Sequence, residues 1–374
     1  MANISLRNLT KVYPGKNGNE RAAVSNLNLE IQDREFIVLT GPSGSGISSI
    51  VRMIAGLDAV SKGDVFIGDR RANDLQPKDR GVAMVSRDYA PYPRMSVYEN
   101  ISFGLKQRKF PNAEIKKRVL AAAEIVGLQE ALESKPRSLS SAQRHRVALA
   151  RAIALQPKVF LFDEPLASLE TKTRGEMRNQ IAKLHQRLQV TMIYSTHDPI
   201  EAMALGGRIV VVNDGAIQQD GTALSLYGEP ANTFVAEFLD PPINLVQGAL
   251  KLERDSLVFS ERDDGTIELR WPISQFPDAR DLMGKPVLLG IRAEEIKVAQ
   301  SSNPDRYSGN FRAIVDLVEV IGPEVNIYLQ TGAHRLVCRT GRGIAQPEAG
   351  HRLEFELNAE KVRLFDPVSG NRIK

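Results

Sequence analysis

The chain has 374 residues, of which 42% are apolar and 25% charged, with a formal net charge of +4. These values fit a soluble globular protein large enough for two cores, and so small a charge excess gives no reason to expect a nucleic-acid partner. No apolar run approaches the ~18–20 residues of a membrane span. The N-terminal MANISLRNLTKVYPG lacks a signal-peptide core, and the single cysteine, Cys338, excludes an intramolecular disulfide or a cysteine-built metal site. A cytosolic chain is expected.

In chain order, Phe36-Ile37-Val38-Leu39 reads as a buried strand, followed by the glycine-rich GPSGSGISS (41–49) and a helix over SSIVRMIAGL. Between about 98 and 155 the pattern turns helical, as in AEIKKRVLAAAEIVGL, whose apolar residues recur at spacings of three and four. Three short apolar runs follow: VFLFD (159–163), TMIYST (191–196) and RIVVVND (208–214). Strands alternating with helices up to about Phe234 predict an α/β domain with a largely parallel sheet and a helical insert. After Pro241-Pro242 the pattern changes to short alternating strands: SLVFS, TIELRW, PVLLGI, NFRAIVDLVEV, VNIYLQ, RLVCRT, RLEFEL and KVRLF. This region predicts a smaller all-β barrel or pair of barrels. The domains are expected at 1–235 and 236–374.

The loop at 41–49 nearly satisfies the phosphate-binding pattern G-x-x-x-x-G-K-[ST], but Ile47 occupies the lysine position. Backbone N–H groups from Ser43 to Ser48 at a helix N-terminus are able to cradle phosphate without a side chain, and Ser48 supplies a hydroxyl suited to Mg²⁺. VFLFDE (159–164) ends in two carboxylates, Asp163 and Glu164. Asp163 is placed to hold Mg²⁺ through water and Glu164 to polarise an attacking water. TMIYST leads to His197, a candidate contact for the γ-phosphate or that water. Each feature alone has an ordinary structural explanation; their joint presence is what points to nucleoside triphosphate chemistry.

The segment LSSAQRHRVALARAIALQPKVFLFDEP, with PYPRMSVYENISFGL, KLHQRL, THDPIEAM and RIVVVNDGAIQQ in order around it, resembles the ATP-binding subunits of ABC transporters, in particular the carbohydrate and glycerophosphate importer group. The likeness runs nearly continuously over about the first 240 residues, and GIRAEEI and KVRLFDPVSGNRI resemble that group's regulatory barrels. The resemblance implies a P-loop ABC-type ATPase domain followed by an OB-like barrel regulatory domain. It implies that Tyr13 stacks on adenine and that Gly41, Pro42, Ser43, Gly44, Ser45, Gly46, Ile47, Ser48 and Ser49 surround the phosphates of ATP. Ser48 and Asp163 would hold Mg²⁺, Glu164 and His197 would be catalytic, and Ser140 with Gln143 would close over ATP held by an opposite subunit. The loop from Ser86 to Met95 would face two membrane permease subunits, with a solute-binding protein as indirect partner. A homodimer, or a heterodimer with another ATP-binding subunit, at the cytoplasmic face of the membrane is the implied assembly.

Four departures from the family pattern fall on groups that touch ATP. They are Ile47 for lysine, Ser86-Arg87 for an aromatic and glutamine, Ser141-Ala142 for two glycines of the signature, and Glu170 for an aspartate. Losing a charge-assisted hydrogen bond costs about 1.5–3 kcal/mol, or roughly ten- to a hundredfold in affinity. Impaired hydrolysis with retained nucleotide binding is therefore expected, and Arg87 is a candidate for the missing cation. Two other readings are a degenerate regulatory subunit without useful turnover and an unrelated P-loop kinase, which the signature-like segment disfavours.

Overall fold

The computed structural model describes residues 2–15, 19–87, 90–239, 242–254, 256–276, 282–299, 309–332, 334–342 and 347–373. The chain forms two compact units, Met1–Ala223 and Leu224–Lys374. This division precedes the one at 235/236 read from the sequence.

The first unit opens with β1 (Ile4–Pro14), β2 (Glu20–Ile31), β3 (Phe36–Thr40), α1 (Ile47–Ala55), β4 (Lys62–Ile67), β5 (Arg70–Arg71) and β6 (Val82–Ser86). The helices α2 (Val97–Gln107), α3 (Asn112–Val126) and α4 (Ser141–Ala154) come next. The unit continues with β7 (Val159–Asp163), α5 (Thr171–Leu188), β8 (Thr191–Thr196), α6 (Pro199–Leu205), β9 (Arg208–Asn213) and β10 (Ala216–Thr222).

Strands β10-β9-β3-β8-β7-β6 make one sheet, parallel except for the β10 edge. Every residue of β3 and β8 is buried, as a sheet covered on both faces requires. The register aligns Thr40 with Thr196, Asp163 with Ser195, and Ser86 with Asp163. Four adjacent strands, β3, β8, β7 and β6, therefore end together at one edge. In open α/β sheets the crevice outside the carboxyl ends of the strands is where ligands bind. A second, antiparallel sheet has the order β2-β1-β4-β5. It shares a core with β3 and α1 that includes Leu6, Val24, Leu39, Ile50 and Ile54.

The helices between β6 and β7 have clear start signals. Ser96 and Glu99 form a capping box at α2, and Ser140 and Gln143 form another at α4.

After α7 (Ala223–Gly228) and α8 (Thr233–Leu239), the second unit is all β. It comprises β11 (Ile243–Glu253), β12 (Ser256–Glu261), β13 (Glu268–Pro272), β14 (Pro286–Arg292), β15 (Ile296–Val298) and β16 (Gly309–Ile321). Then come β17 (Glu324–Gln330), β18 (Arg335–Gly341), β19 (Arg352–Leu357), β20 (Arg363–Phe365) and β21 (Arg372–Ile373). They form a sheet β13-β12-β11-β14-β20-β21 and a sheet β15-β19-β16-β17-β18 over one apolar core that includes Phe259, Trp271, Phe311 and Phe355. The two edges of the second sheet approach each other: the Cys338 thiol on β18 donates to the Ile296 carbonyl on β15 at 3.0 Å. The sheet is thus a nearly closed barrel, and the predicted α/β-then-β organisation is the observed one.

Candidate nucleotide site

The loop Gly41–Gly46 carries the chain from the end of β3 into α1. Ser45 N–H donates to the Pro42 carbonyl at 3.0 Å, Gly215 N–H to the Ser45 carbonyl at 2.9 Å, and Ile50 N–H to the Gly46 carbonyl at 3.1 Å. Two glycines are required by geometry. Gly46 has φ 99°, and a Cβ there would stand 2.1 Å from the Ala23 carbonyl oxygen; a Cβ on Gly41 would stand 2.0 Å from that of Val212. Ser43 and Gly44 lie exposed at the crest. Ile47 is 1% exposed and belongs to the apolar core, so the residue at the lysine position contributes packing and no charge.

The strand ends bring the other candidates together. Asp163 accepts from the Ser195 hydroxyl at 3.1 Å and from the Ser48 hydroxyl, and burial pushes its carboxyl above the usual range. Glu164 has φ 47°, held by its N–H donating to the Ser195 carbonyl and hydroxyl, both at 3.2 Å. Its Oε1 lies 2.9 Å from His197 Nε2 and its Oε2 lies 3.5 Å from Arg87 Nη1. His197 Nδ1 in turn lies 2.7 Å from the Gly41 carbonyl. That carbonyl only accepts, so the contact suits a tautomer with its N–H at Nδ1. His197 thus ties the start of the phosphate loop to the Glu164 carboxylate.

Arg87 faces Glu164, in a hollow also lined by Arg52, Met84, Ser86 and Asp163. A neighbouring hollow is lined by Tyr13, Arg21, Gly44, Gly46, Ser48 and His197, among others. The Tyr13 hydroxyl donates to Asp58 Oδ2 at 2.7 Å and lies 3.2 Å from Ser49 Oγ, while the Lys11 ammonium sits 4.7 Å from the ring centroid. Arg52 Nε donates to the same Asp58 oxygen at 2.9 Å, and this guanidinium holds the Asp58 carboxyl below its ordinary range. Ser140 and Gln143 line neither hollow; their side chains cap α4, with Gln143 N–H donating to Ser140 Oγ at 3.2 Å. The signature residues are not brought to the phosphate loop of their own chain.

Among the described residues no three or more His, Cys, Asp or Glu cluster as a metal site. Ser48 and Asp163 nevertheless fit Mg²⁺: they are adjoining hard-oxygen donors, and a cation would relieve the desolvation of the Asp163 carboxylate. Sequence reasoning missed Arg21, Ser195 and Asp58. Ser195 was the readable one, a hydroxyl one residue before the end of β8 and beside the strand that ends at Asp163.

A glycine loop entering a helix beside strand-end carboxylates and a histidine defines a P-loop nucleotide-binding domain. The ABC transporter family profile matches residues 24–167, and the TOBE domain profile matches residues 289–365. The chain is 43% identical to the oligosaccharides import ATP-binding protein MsmX of Bacillus subtilis, over 100% of both chains. It is 40% identical to the sn-glycerol-3-phosphate import ATP-binding protein UgpC of Chromobacterium violaceum, over 100% of this chain and 97% of that one. Among solved structures, the dimeric ATP-binding cassette MJ0796 in a post-hydrolysis state bound to ADP and Pi matches with a TM-score of 0.52 and 30% identity. That match covers 59% of this chain and 98% of the other. The chain belongs to the ATP-binding subunits of ABC transporters that carry a TOBE domain. Among its described residues no helix is long and apolar enough to cross a membrane.

Proposed function

We propose that the protein is the energy-coupling ATP-binding subunit of an importer for a sugar, polyol or related small solute, with slow hydrolysis. The observation that carries this reading is the convergence of Ser48, Asp163, Glu164 and His197 at the ends of adjacent parallel strands. The names of the oligosaccharide and glycerol-3-phosphate import relatives support the solute class. The dimeric cassette supports pairing of two ATP-binding subunits. Permease subunits would be the membrane partners, at the cytoplasmic face, with ATP closing the dimer and hydrolysis reopening it.

In this mechanism the loop N–H groups bind the phosphates. Ser48 and Asp163 would hold Mg²⁺, which would supply positive charge against the phosphate oxygens. Glu164 polarises the attacking water, and His197 keeps its carboxylate oriented against the loop. Ser140 and Gln143 act on the ATP of the opposite subunit.

A second reading, a regulatory subunit without turnover, is favoured by the burial of Ile47 and by the Arg87 pair that engages Glu164. Sedimentation of the full chain tests the dimer step. MgATP should raise the dimer fraction, and more so in Glu164→Gln, where slower hydrolysis prolongs closure. A sedimentation profile indifferent to MgATP in both proteins would count against nucleotide-driven closure.

A further inference from the structure

We propose that Arg21 is the phosphate-facing cation of this loop, standing in for the basic side chain that position 47 lacks. The inference rests on the nucleotide-binding reading and adds a residue to it. Ile47 turns into the apolar core, so any charge over the loop must come from another element. The β1–β2 hairpin supplies one. Its register sets Arg21 directly opposite Tyr13, and residues so paired project to the same face. Both line the hollow formed by Gly44, Gly46, Ser48 and His197. Arg21 Nη2 stands 3.6 Å from where a Cβ on Gly44 would be, which places the guanidinium against the exposed crest of the loop.

The other cations around the two hollows are already engaged. Lys11 donates to the Ala59 carbonyl at 2.7 Å, Arg52 pairs with Asp58 at 2.9 Å, and Arg87 pairs with Glu164 at 3.5 Å. Arg21 is exposed and, among the described residues, pairs with no carboxylate. A planar five-donor fork suits phosphate oxygens, and its length lets it act from a strand rather than from within the loop. An arginine reaching in from the hairpin serves binding, because it neutralises ground-state charge. It lacks the fixed position inside the loop that would let it follow charge developing during hydrolysis.

The test is calorimetric titration of the full chain with MgATP and with AMP, for the parent, Arg21→Gln, Arg21→Lys, Ile47→Lys and the Arg21→Gln/Ile47→Lys pair. Arg21→Gln should weaken ATP binding about tenfold, the low end for a charge-assisted contact because the side chain is exposed. AMP should lose less, and Arg21→Lys should retain most of the affinity. Ile47→Lys should strengthen ATP binding more in the Arg21→Gln background than in the parent, the coupling expected of two cations serving one anion. ATP binding by the parent that is unchanged in Arg21→Gln overturns the proposal and leaves the nucleotide-binding reading standing. A parent chain that binds no ATP overturns both.

Discussion

Arg87→Gln removes the guanidinium that engages the candidate base. Arg87 Nη1 and Glu164 Oε2 are 3.5 Å apart, which at an effective dielectric of about 20 corresponds to about 5 kcal/mol of attraction. The Arg87 side chain is 59% exposed, so solvent screening reduces the measurable coupling to about 0.2–1 kcal/mol. Glu164 uses Oε1 on His197 and Oε2 on Arg87, and must free Oε2 to meet a water. Removing Arg87 removes that cost while leaving the His197 contact in place. Turnover at saturating MgATP should therefore rise, by up to about fivefold. The assay is phosphate release by the purified full chain between low and high salt. Added salt should narrow the gap between parent and variant, since it screens the exposed pair. Turnover in Arg87→Gln equal to or below the parent at every salt concentration would refute the argument.

Burial holds His145 at about 4, against 6.5 in the unfolded chain. The unfolded state binds the proton first as pH falls, so stability is full above 6.5 and lost toward 4, by about 2 kcal/mol at pH 5. Urea unfolding at pH 7 and pH 5 should show this loss in the parent and little of it in His145→Gln; equal losses would contradict it. Gly46→Ala forces a side chain at φ 99° against the Ala23 carbonyl and should cost about 1–3 kcal/mol, read as a lower urea midpoint; an unchanged midpoint would show that the loop relaxes freely. Ile47→Lys replaces a fully buried aliphatic side chain and should lower stability by about 1–3 kcal/mol without nucleotide. At one fixed MgATP concentration the rise in melting temperature should be larger for Ile47→Lys than for the parent, and an equal rise in both would show that the lysine never meets the phosphates.

Much of this site was legible because local constraints fix it. The glycines at 41 and 46 are demanded by close backbone approach and a left-handed turn, and the strand leading to Asp163 announces itself by the unbroken apolar run Val159-Phe160-Leu161-Phe162. The C-terminal strands were legible by alternation, as in RLEFEL, whose Phe355 and Leu357 are buried in the shared core. Other parts depend on long-range geometry. Register shifts between Leu6 and Leu9, Leu9 and Lys11, and Lys11 and Val12 break the period of β1, so the pairing of Tyr13 with Arg21 is invisible in the sequence. Ser195 reads as strand packing until β7 and β8 are aligned, and the approach of β18 to β15 joins residues far apart in the chain. Arg87 drew attention as a departure from a family pattern, and only the strand ends reveal that its partner is Glu164.

In the proposed mechanism this site hydrolyses ATP slowly, with Glu164 as the group that activates water. Steady-state phosphate release with MgATP by the full chain, Glu164→Gln and Ile47→Lys measures it directly. One transition-state charge donor is typically worth about a hundred- to a thousandfold in rate. The account predicts a low parent turnover that Glu164→Gln abolishes and that Ile47→Lys raises by at least about tenfold. Vigorous turnover that Ile47→Lys leaves unchanged, or phosphate release that persists in Glu164→Gln, would contradict it.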